Sequence, residues 1–189
     1  YEQMKLELSN ALRGIKVGSG LDQGVHMGPL IDMAAAESVG KLIESAMDLA
    51  DEVLIRGTTK PKSAADGAYL TPTLIAHSNT KASFIQEEIF GPLLVIEKFS
   101  NESEAVQKAN DSVYGLSASV WTKDGNCGLR IARALKSGTV WINDHNKLFA
   151  EAETGGYRKS GLGRLHGYEG LVDFQEIKHI YQNVGVVSK

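Results

Sequence analysis

The sequence predicts an α/β fold with a largely parallel sheet and crossover helices. Three short apolar or β-prone runs alternate with helical segments in its second half, at residues 93–96, 118–121 and 139–142. The segments between the runs carry helix signals: Asn101 and Glu104 have capping-box spacing, and Asp124 can cap a helix that Gly138 ends. Strands joined in this order by helices form right-handed crossovers in a parallel sheet.

The first half adds two helices and two strands to this prediction. Apolar residues at helical spacing predict a helix over 1–16, and Asp32 can cap a second helix that runs to Ala50. Between them Gly18, Gly20 and Gly24 resemble a dinucleotide fingerprint, but the last interval is one residue too long and no strand precedes it, so residues 18–29 are interpreted as a linker. Strands are expected at 53–55 and 69–75, where Pro72 indicates an edge strand or a bulge. A short helix is expected over 167–174, followed by a β-prone tail at 176–184.

Composition narrows the class of protein. The chain has 189 residues, 42% of them hydrophobic and 23% charged, with a net charge of −3. This charge gives no electrostatic reason to expect a nucleic-acid or anionic-membrane partner, and no apolar run approaches the ~20 residues that span a bilayer. One cysteine excludes an internal disulfide and is typical of a reducing compartment, so the predicted location is the cytoplasm.

The stretch 86–92, Gln-Glu-Glu-Ile-Phe-Gly-Pro, is the first candidate site. Pro92 ends a helical turn and opens the apolar run 93–96, which we expect to be a strand buried on both faces. The acids Glu87 and Glu88 and the ring of Phe90 would then lie at a sheet edge, where ligands bind in parallel α/β proteins. A carboxylate there could hold the vicinal hydroxyls of a sugar while the ring flanks a flat heterocycle. The alternative is a helix end whose acids face water.

The second candidate site is the stretch 143–159, which has neither helical nor strand periodicity. A long loop after a central strand is uncommon unless it lines a site. It leads into a glycine-rich run, 155–164, that lacks the Walker spacing, so close backbone packing explains its glycines better than phosphate binding.

Four motifs together resemble the aldehyde dehydrogenase superfamily in order and near its spacing. They are Gln-Glu-Glu-Ile-Phe-Gly-Pro at 86–92, Asn-Asp-Ser-Val-Tyr-Gly-Leu at 110–116, Gly-Thr-Val-Trp-Ile-Asn at 138–143 and Gly-Gly-Tyr-Arg-Lys-Ser-Gly at 155–161. The resemblance covers the whole chain but only the C-terminal portion of a typical member. It implies that 1–174 is most of a catalytic domain lacking its first segment, and that 175–189 is the closing strand of an oligomerisation region, through which a homo-oligomer would form.

The resemblance also implies a chemistry. In that family a cysteine attacks the aldehyde, hydride passes to NAD or NADP, and a glutamate helps water to hydrolyse the thioester. The cysteine, the glutamate and the cofactor domain would all lie upstream of Tyr1, so no catalytic residue is assigned within this chain. Glu88 resembles the residue that holds the nicotinamide ribose, and Phe90 resembles the aromatic residue beside the nicotinamide ring.

The aldehyde site is implied by the same resemblance. The loop 143–155 resembles the family's aldehyde tunnel, with Asp144, Leu148 and Thr154 at wall positions. Many relatives have proline and an aromatic residue where this chain has Glu153 and Thr154, a difference that should widen or polarise the tunnel. Asp144, Glu151 and Glu153 could favour a cationic aldehyde, or they could simply face solvent.

Other polar residues receive structural interpretations. Cys127 lies in the first turn of a predicted helix, where a nucleophile is conceivable, but it shares a face with Ile131 and Leu135 and is better explained as a packed thiol. The histidines show no metal-ligand spacing, and a surface role is expected for His145.

Two interpretations of the chain remain open at this stage. In one, it is a segment of an NAD(P)-dependent aldehyde dehydrogenase, inactive alone and acting on a small-molecule aldehyde when joined to its upstream part. Alternatively it is a truncated, non-catalytic domain that acts through protein–protein association.

Overall fold

The computed structural model describes residues 1–58 and 67–185, and it divides the chain into an N-terminal unit, Tyr1–Lys108, and a C-terminal unit, Ala109–Lys189. The elements of the first unit are α1 (Glu2–Arg13), α2 (Met33–Leu49), β1 (Glu52–Ile55), β2 (Thr73–Ala76), α3 (Ser83–Gln86), β3 (Leu93–Ile96) and most of α4 (Glu102–Asn110). Those that follow are β4 (Ser117–Val120), α5 (Gly125–Ala134), β5 (Thr139–Ile142), a 3-10 turn (Arg158–Ser160) and α6 (Glu169–Val172).

The predicted helix starts are confirmed by their capping bonds. The Asp32 side chain accepts a hydrogen bond from Ala35 N at 2.7 Å, and the Asn101 side chain accepts one from Glu104 N at 2.9 Å. The Asp124 carboxylate accepts from two N–H groups at the start of α5. Each cap satisfies backbone N–H donors that a helix start would otherwise leave unpaired. Because these donors lie within three residues of the capping side chain, the helix start can be predicted from the local sequence.

The strand β2 is the centre of the N-terminal unit. It pairs antiparallel with β1 and parallel with β3, and all four of its residues are buried. The prediction of an edge strand here is wrong, because Pro72 lies just before the first paired residue and its missing N–H costs the ladder nothing. The register shift that the proline suggested lies on the partner strand, between Val53 and Ile55.

Helix α2 covers one face of this sheet and forms the main core. The apolar stripe of α2 packs with Leu70, Ile75 and Phe84, and Leu93 and Val95 of β3 pack against the same cluster. On the other face of β3 Ile96 is buried but Leu94 is 41% exposed, so the prediction that the whole of β3 is buried on both faces is wrong in this chain. The reason is its position, since β3 is the edge of the three-stranded sheet and β2 is the strand buried on both sides.

The second sheet contains β4 and β5, which pair in parallel with α5 as the crossover. This confirms an α/β fold in which parallel pairing predominates and helices connect the strands. The described strands form two sheets, whereas the sequence pattern indicates one continuous series.

The C-terminal segment differs from its prediction. The short helix α6 is confirmed, but residues 175–185 form no strand within the described chain, and their side chains are exposed. A strand needs a hydrogen-bonding neighbour, and the described part of the chain offers this segment none. The division at 174 and 175 stays a prediction, and residues 186–189 of it lie outside the described range.

No helix in the described residues is long and apolar enough to cross a membrane.

Candidate functional site

The stretch 86–92 is anchored at alternate positions and exposed between them. Helix α3 ends at Gln86, where Glu87 turns to extended backbone, as predicted. Phe84 is buried and Ile89 packs against the same core cluster, so both ends of the turn are fixed. Glu87 and Glu88 are exposed, and within the described residues the Glu88 carboxylate has no hydrogen-bonding or ionic partner.

Phe90 has an unusual backbone conformation. Its φ is 55°, in the left-handed region that aromatic residues rarely adopt, and its side chain is 85% exposed. Gly91 follows so close to α2 that an added Cβ would overlap Val39, and Pro92 O accepts a hydrogen bond from Thr73 N at 2.8 Å. Packing on both sides therefore forces the strained turn at Phe90 and projects its ring outward, a pattern that clusters at functional sites.

A cavity of about 510 Å³ adjoins Phe90 within the N-terminal unit. Its walls are mainly apolar and come from residues 27–31, from Ala35 and Val39 of α2, and from the turn 90–92. The sequence pattern indicates only a linker for 18–29, and it misses this wall because the segment is positioned by long-range backbone bonds. Leu30 N bonds to Ala68 O at 2.8 Å, and Val17 forms a bridge with Met27.

Three of the sequence motifs meet in the C-terminal unit. Gly115 O accepts hydrogen bonds from Gly138 N at 3.0 Å and Tyr157 N at 2.9 Å, and Gly115 N donates to Ser160 Oγ at 2.9 Å. A Cβ on Gly138 would overlap the Gly155 carbonyl. The glycines therefore allow close backbone packing, as predicted, and this packing positions both ends of the loop 143–155.

The first turn of that loop is held by polar bonds. Asn143, with φ 55°, bonds through its side chain to Thr122 N at 2.8 Å and Thr122 O at 2.9 Å. Asp144 accepts a hydrogen bond from His145 N at 2.8 Å and lies 3.3 Å from Lys147 Nζ. The backbone N–H of His145, with Lys147 beside it, holds the pKa of the Asp144 carboxyl below its usual range. Asp144 is thus already engaged, which weakens the hypothesis that it attracts a cationic group.

His145, for which the sequence suggests a surface role, makes specific side-chain contacts in the structure. Its Nδ1 lies 2.9 Å from Ser119 Oγ, and its ring meets that of Trp141 edge-on, with centroids 5.1 Å apart. Trp141 Nε1 in turn donates to Lys147 O at 2.8 Å. These contacts leave Leu148, 52% exposed, at the part of the loop that projects outward.

The far end of the loop pairs with the segment before α6. Thr154 and Leu165 exchange two backbone hydrogen bonds, each of 2.8 Å, and Thr154 Oγ1 lies 3.2 Å from His166 Nδ1. The Glu153 carboxylate accepts a hydrogen bond from Tyr168 N at 3.0 Å. Its own backbone N–H and that of Tyr168 hold the pKa of Glu153 below its usual range.

The predicted site residues therefore fall into two groups. Glu88 and Phe90 lie together at the start of β3 in the N-terminal unit. Asp144, Leu148 and Thr154 all lie on one loop of the C-terminal unit.

An α/β fold with a strained, exposed turn before one strand and a long anchored loop after another is typical of enzymes that bind ligands at the ends of their strands. The model of the aldehyde dehydrogenase family matches residues 1–180, so the chain belongs to this family.

Named relatives show the same resemblance over most of the chain. It is 38% identical over 185 residues to a betaine aldehyde dehydrogenase of Bacillus subtilis, covering 97% of this chain and 38% of that protein. It is 41% identical over 168 residues to a phenylacetaldehyde dehydrogenase of Pseudomonas fluorescens, covering 88% of this chain and 33% of that protein. The chain thus spans well under half the length of these relatives.

Solved structures of aldehyde dehydrogenases resemble the whole chain as well. An aldehyde dehydrogenase of Mycobacterium tuberculosis complexed with NAD⁺ matches with a TM-score of 0.90 at 32% identity, over 100% of this chain and 38% of that one. A betaine aldehyde dehydrogenase of Staphylococcus aureus in complex with NAD⁺ matches with a TM-score of 0.85 at 39% identity, over 100% and 39% respectively.

Proposed function

We propose that this chain is the C-terminal catalytic-domain segment of an NAD(P)-dependent aldehyde dehydrogenase that oxidises an aldehyde to a carboxylic acid. The observation that carries the proposal is the turn at Glu88 and Phe90, where an unpartnered carboxylate and a strained, exposed ring precede a strand. The catalytic part is assigned to 1–174 and the terminal oligomerisation segment to 175–189. The attacking cysteine, the general base and the cofactor domain are assigned to the upstream part of the enzyme.

The residues present fit a nicotinamide cofactor, either NAD or NADP. The cofactor supplies the hydride acceptor when it is bound. The Glu88 carboxylate, whose oxygens have no partner among residues 1–58 and 67–185, suits two neighbouring hydroxyls of a ribose. The exposed ring of Phe90 offers a flat apolar face to a flat ring beside that sugar.

The aldehyde is assigned to the loop 143–155, with Asp144, Leu148 and Thr154 at its walls. The relatives carry the names of two different aldehydes, so their names do not select one for this chain. The pairing of Asp144 with Lys147 weakens the case for a cationic aldehyde, whereas Glu153 is held by the neutral N–H of Tyr168 and keeps its charge.

Assembly and location complete the proposal. Within residues 175–185, the described part of the tail, four large exposed apolar side chains would be buried if the tail paired with another copy: Ile177, Ile180, Tyr181 and Val184. A homo-oligomer formed through this tail, acting in the cytoplasm on a small-molecule aldehyde without nucleic-acid or membrane partners, is the assembly that fits.

The test uses the intact enzyme that contains this chain. Aldehyde-dependent formation of reduced cofactor is measured with NAD and with NADP over a panel of aldehydes. Turnover that requires both the aldehyde and the cofactor supports the proposal. An intact enzyme that folds and reduces neither cofactor with any aldehyde would overturn it.

Substituting Phe90 by glycine should separate folding from function. Glycine adopts a φ of 55° without strain, and an exposed ring contributes little packing, so stability should stay the same or rise by no more than about 1 kcal/mol. Loss of the ring beside the cofactor should slow hydride transfer by about ten-fold. Thermal unfolding and single-turnover kinetics of Phe90→Gly check this; a stability loss with unchanged kinetics would show that the ring is structural.

A further inference from the structure

We propose that the aldehyde oxidised by this enzyme carries a hydroxyl group, which the side-chain pair of Thr154 and His166 recognises. The inference rests on the proposed function, which places Thr154 at the wall of the aldehyde site. It goes further by naming the chemical class of the substrate and by assigning a role to His166.

The pair is built into the backbone. Thr154 and Leu165 exchange two backbone hydrogen bonds of 2.8 Å, which set the two chain segments side by side. The next residue, His166, has φ 63°, and its Nδ1 lies 3.2 Å from Thr154 Oγ1. A left-handed histidine is uncommon, and here its conformation directs the imidazole back to the threonine hydroxyl.

The neighbouring turn is held in place from the loop. Gly167, with φ 56°, donates from its N to Ala150 O at 3.0 Å, and Glu153 accepts from Tyr168 N at 3.0 Å. A Cβ on Gly167 would overlap the Glu153 side chain, so the turn fits closely against the loop. Glu153 therefore acts here as an acceptor that holds the turn following His166.

Hydrogen-bond capacity decides what this pair can recognise. A threonine hydroxyl has one donor and two acceptor positions, and a neutral imidazole has one of each. If the hydroxyl donates to Nδ1, then Nε2 keeps a proton and the hydroxyl oxygen keeps an acceptor. If Nδ1 donates instead, the hydroxyl keeps its proton and Nε2 becomes the acceptor. In both tautomers one donor and at least one acceptor remain.

A group that both donates and accepts is the natural partner for this surface. A carboxylate only accepts hydrogen bonds, an alkylammonium group can only donate them, and an aromatic ring does neither strongly. A hydroxyl does both, so it satisfies the pair in either tautomer. An aldehyde without a hydroxyl would give the pair's polar atoms no substrate partner, and a site built to bond a hydroxyl discriminates strongly against an analogue that lacks it.

The test compares aldehydes that differ only in one hydroxyl, using the intact enzyme. The pairs are 2-hydroxypropanal with propanal and 4-hydroxybutanal with butanal. We expect kcat/KM to favour the hydroxylated member of at least one pair by about ten-fold or more. Thr154→Val, which keeps the β-branched shape, should reduce that preference by about three- to ten-fold, because kcat/KM should fall more for the hydroxylated member of a pair than for the unsubstituted one.

Further variants separate recognition from packing. Thr154→Ser keeps the hydroxyl and should retain the preference. His166→Gly tolerates the positive φ without strain but removes the imidazole, so it should lose the preference. Thr139→Val is the matched control, because it makes the same change on β5, where the threonine side chain has no partner among the described residues.

The outcomes are distinct. An enzyme that oxidises both members of every pair equally well would overturn the inference and leave the proposed function standing. Equal losses on both members in Thr154→Val would show a packing role and would also overturn it. Failure to oxidise any aldehyde would overturn the proposed function itself.

Discussion

The isolated 189-residue chain should oxidise no aldehyde above the uncatalysed rate. The proposed function places the attacking cysteine, the general base and the cofactor domain upstream, and removing a catalytic unit of this kind costs on the order of 10⁶-fold in kcat. The measurement is formation of reduced NAD or NADP by the purified chain over the aldehyde panel, beside the intact enzyme at equal molar concentration.

Cys127 provides the internal control for that experiment. It lies half-buried in the first turn of α5, where its backbone N–H donates to the Asp124 carboxylate at 3.2 Å. If the thiol is structural, Cys127→Ser should leave the activity of the intact enzyme unchanged. Turnover by the isolated chain that disappears in Cys127→Ser would contradict both the assignment of the nucleophile upstream and the structural interpretation of this thiol.

Substituting Gly138 by alanine should cause the largest loss of stability of any single methyl addition in the C-terminal unit. The added Cβ would overlap the carbonyl of Gly155, and the two segments are fixed because Gly138 N and Tyr157 N, two residues after Gly155, both donate to Gly115 O. Because neither segment can shift without breaking those bonds, we expect a cost above about 3 kcal/mol, or a fall in the unfolding temperature of at least about 6 °C.

Gly125→Ala is the matched control for this substitution. Gly125 begins α5, and an added Cβ there would have no heavy atom within 4 Å. Alanine favours helix, so stability should stay the same or rise slightly. Thermal unfolding and soluble yield of the two variants of the intact protein give the comparison. Similar unfolding temperatures would mean that the contact between Gly138 and Gly155 is not part of the native fold.

Local signals explain why most helices could be predicted from the sequence. A cap such as Asp32 or Asp124 acts on N–H groups two or three residues away, so its effect is contained in the sequence around it. The parallel pairing of β4 with β5 was predictable for a similar reason, because a single short helix separates them.

Sheet order was not predictable in the same way. The position of β2 between β1 and β3 depends on partners that are distant in sequence, and Pro72 alone favours an edge. The wall at residues 27–31 was missed because its backbone is held by Ala68, a contact with no local signature. The tail after 174 lacks a partner within the described chain, so its β propensity leads to no strand there.

The candidate site shows the same division. The order of the four motifs identified Glu88 and Phe90 as one candidate site, and it identified Thr154 as part of the loop 143–155. The left-handed backbone of Phe90 and the bond between Thr154 and His166 follow from packing and turn geometry that no motif contains. The site side chains could be named from the sequence, but their backbone conformations and mutual contacts could not be predicted from it.

The most direct test of the central claim is single-turnover hydride transfer in Glu88→Gln and Glu87→Gln of the intact enzyme. Both carboxylates are exposed and adjacent, so the two changes are matched in charge and size. Charge-assisted hydrogen bonds contribute roughly 1.5–3 kcal/mol each, partly offset by solvation of the free carboxylate. We therefore predict that Glu88→Gln slows hydride transfer by about ten-fold, with a weaker effect on cofactor affinity, and that Glu87→Gln changes little. Equal effects from the two substitutions, or none from Glu88→Gln, would contradict the account and mark this turn as a structural helix end.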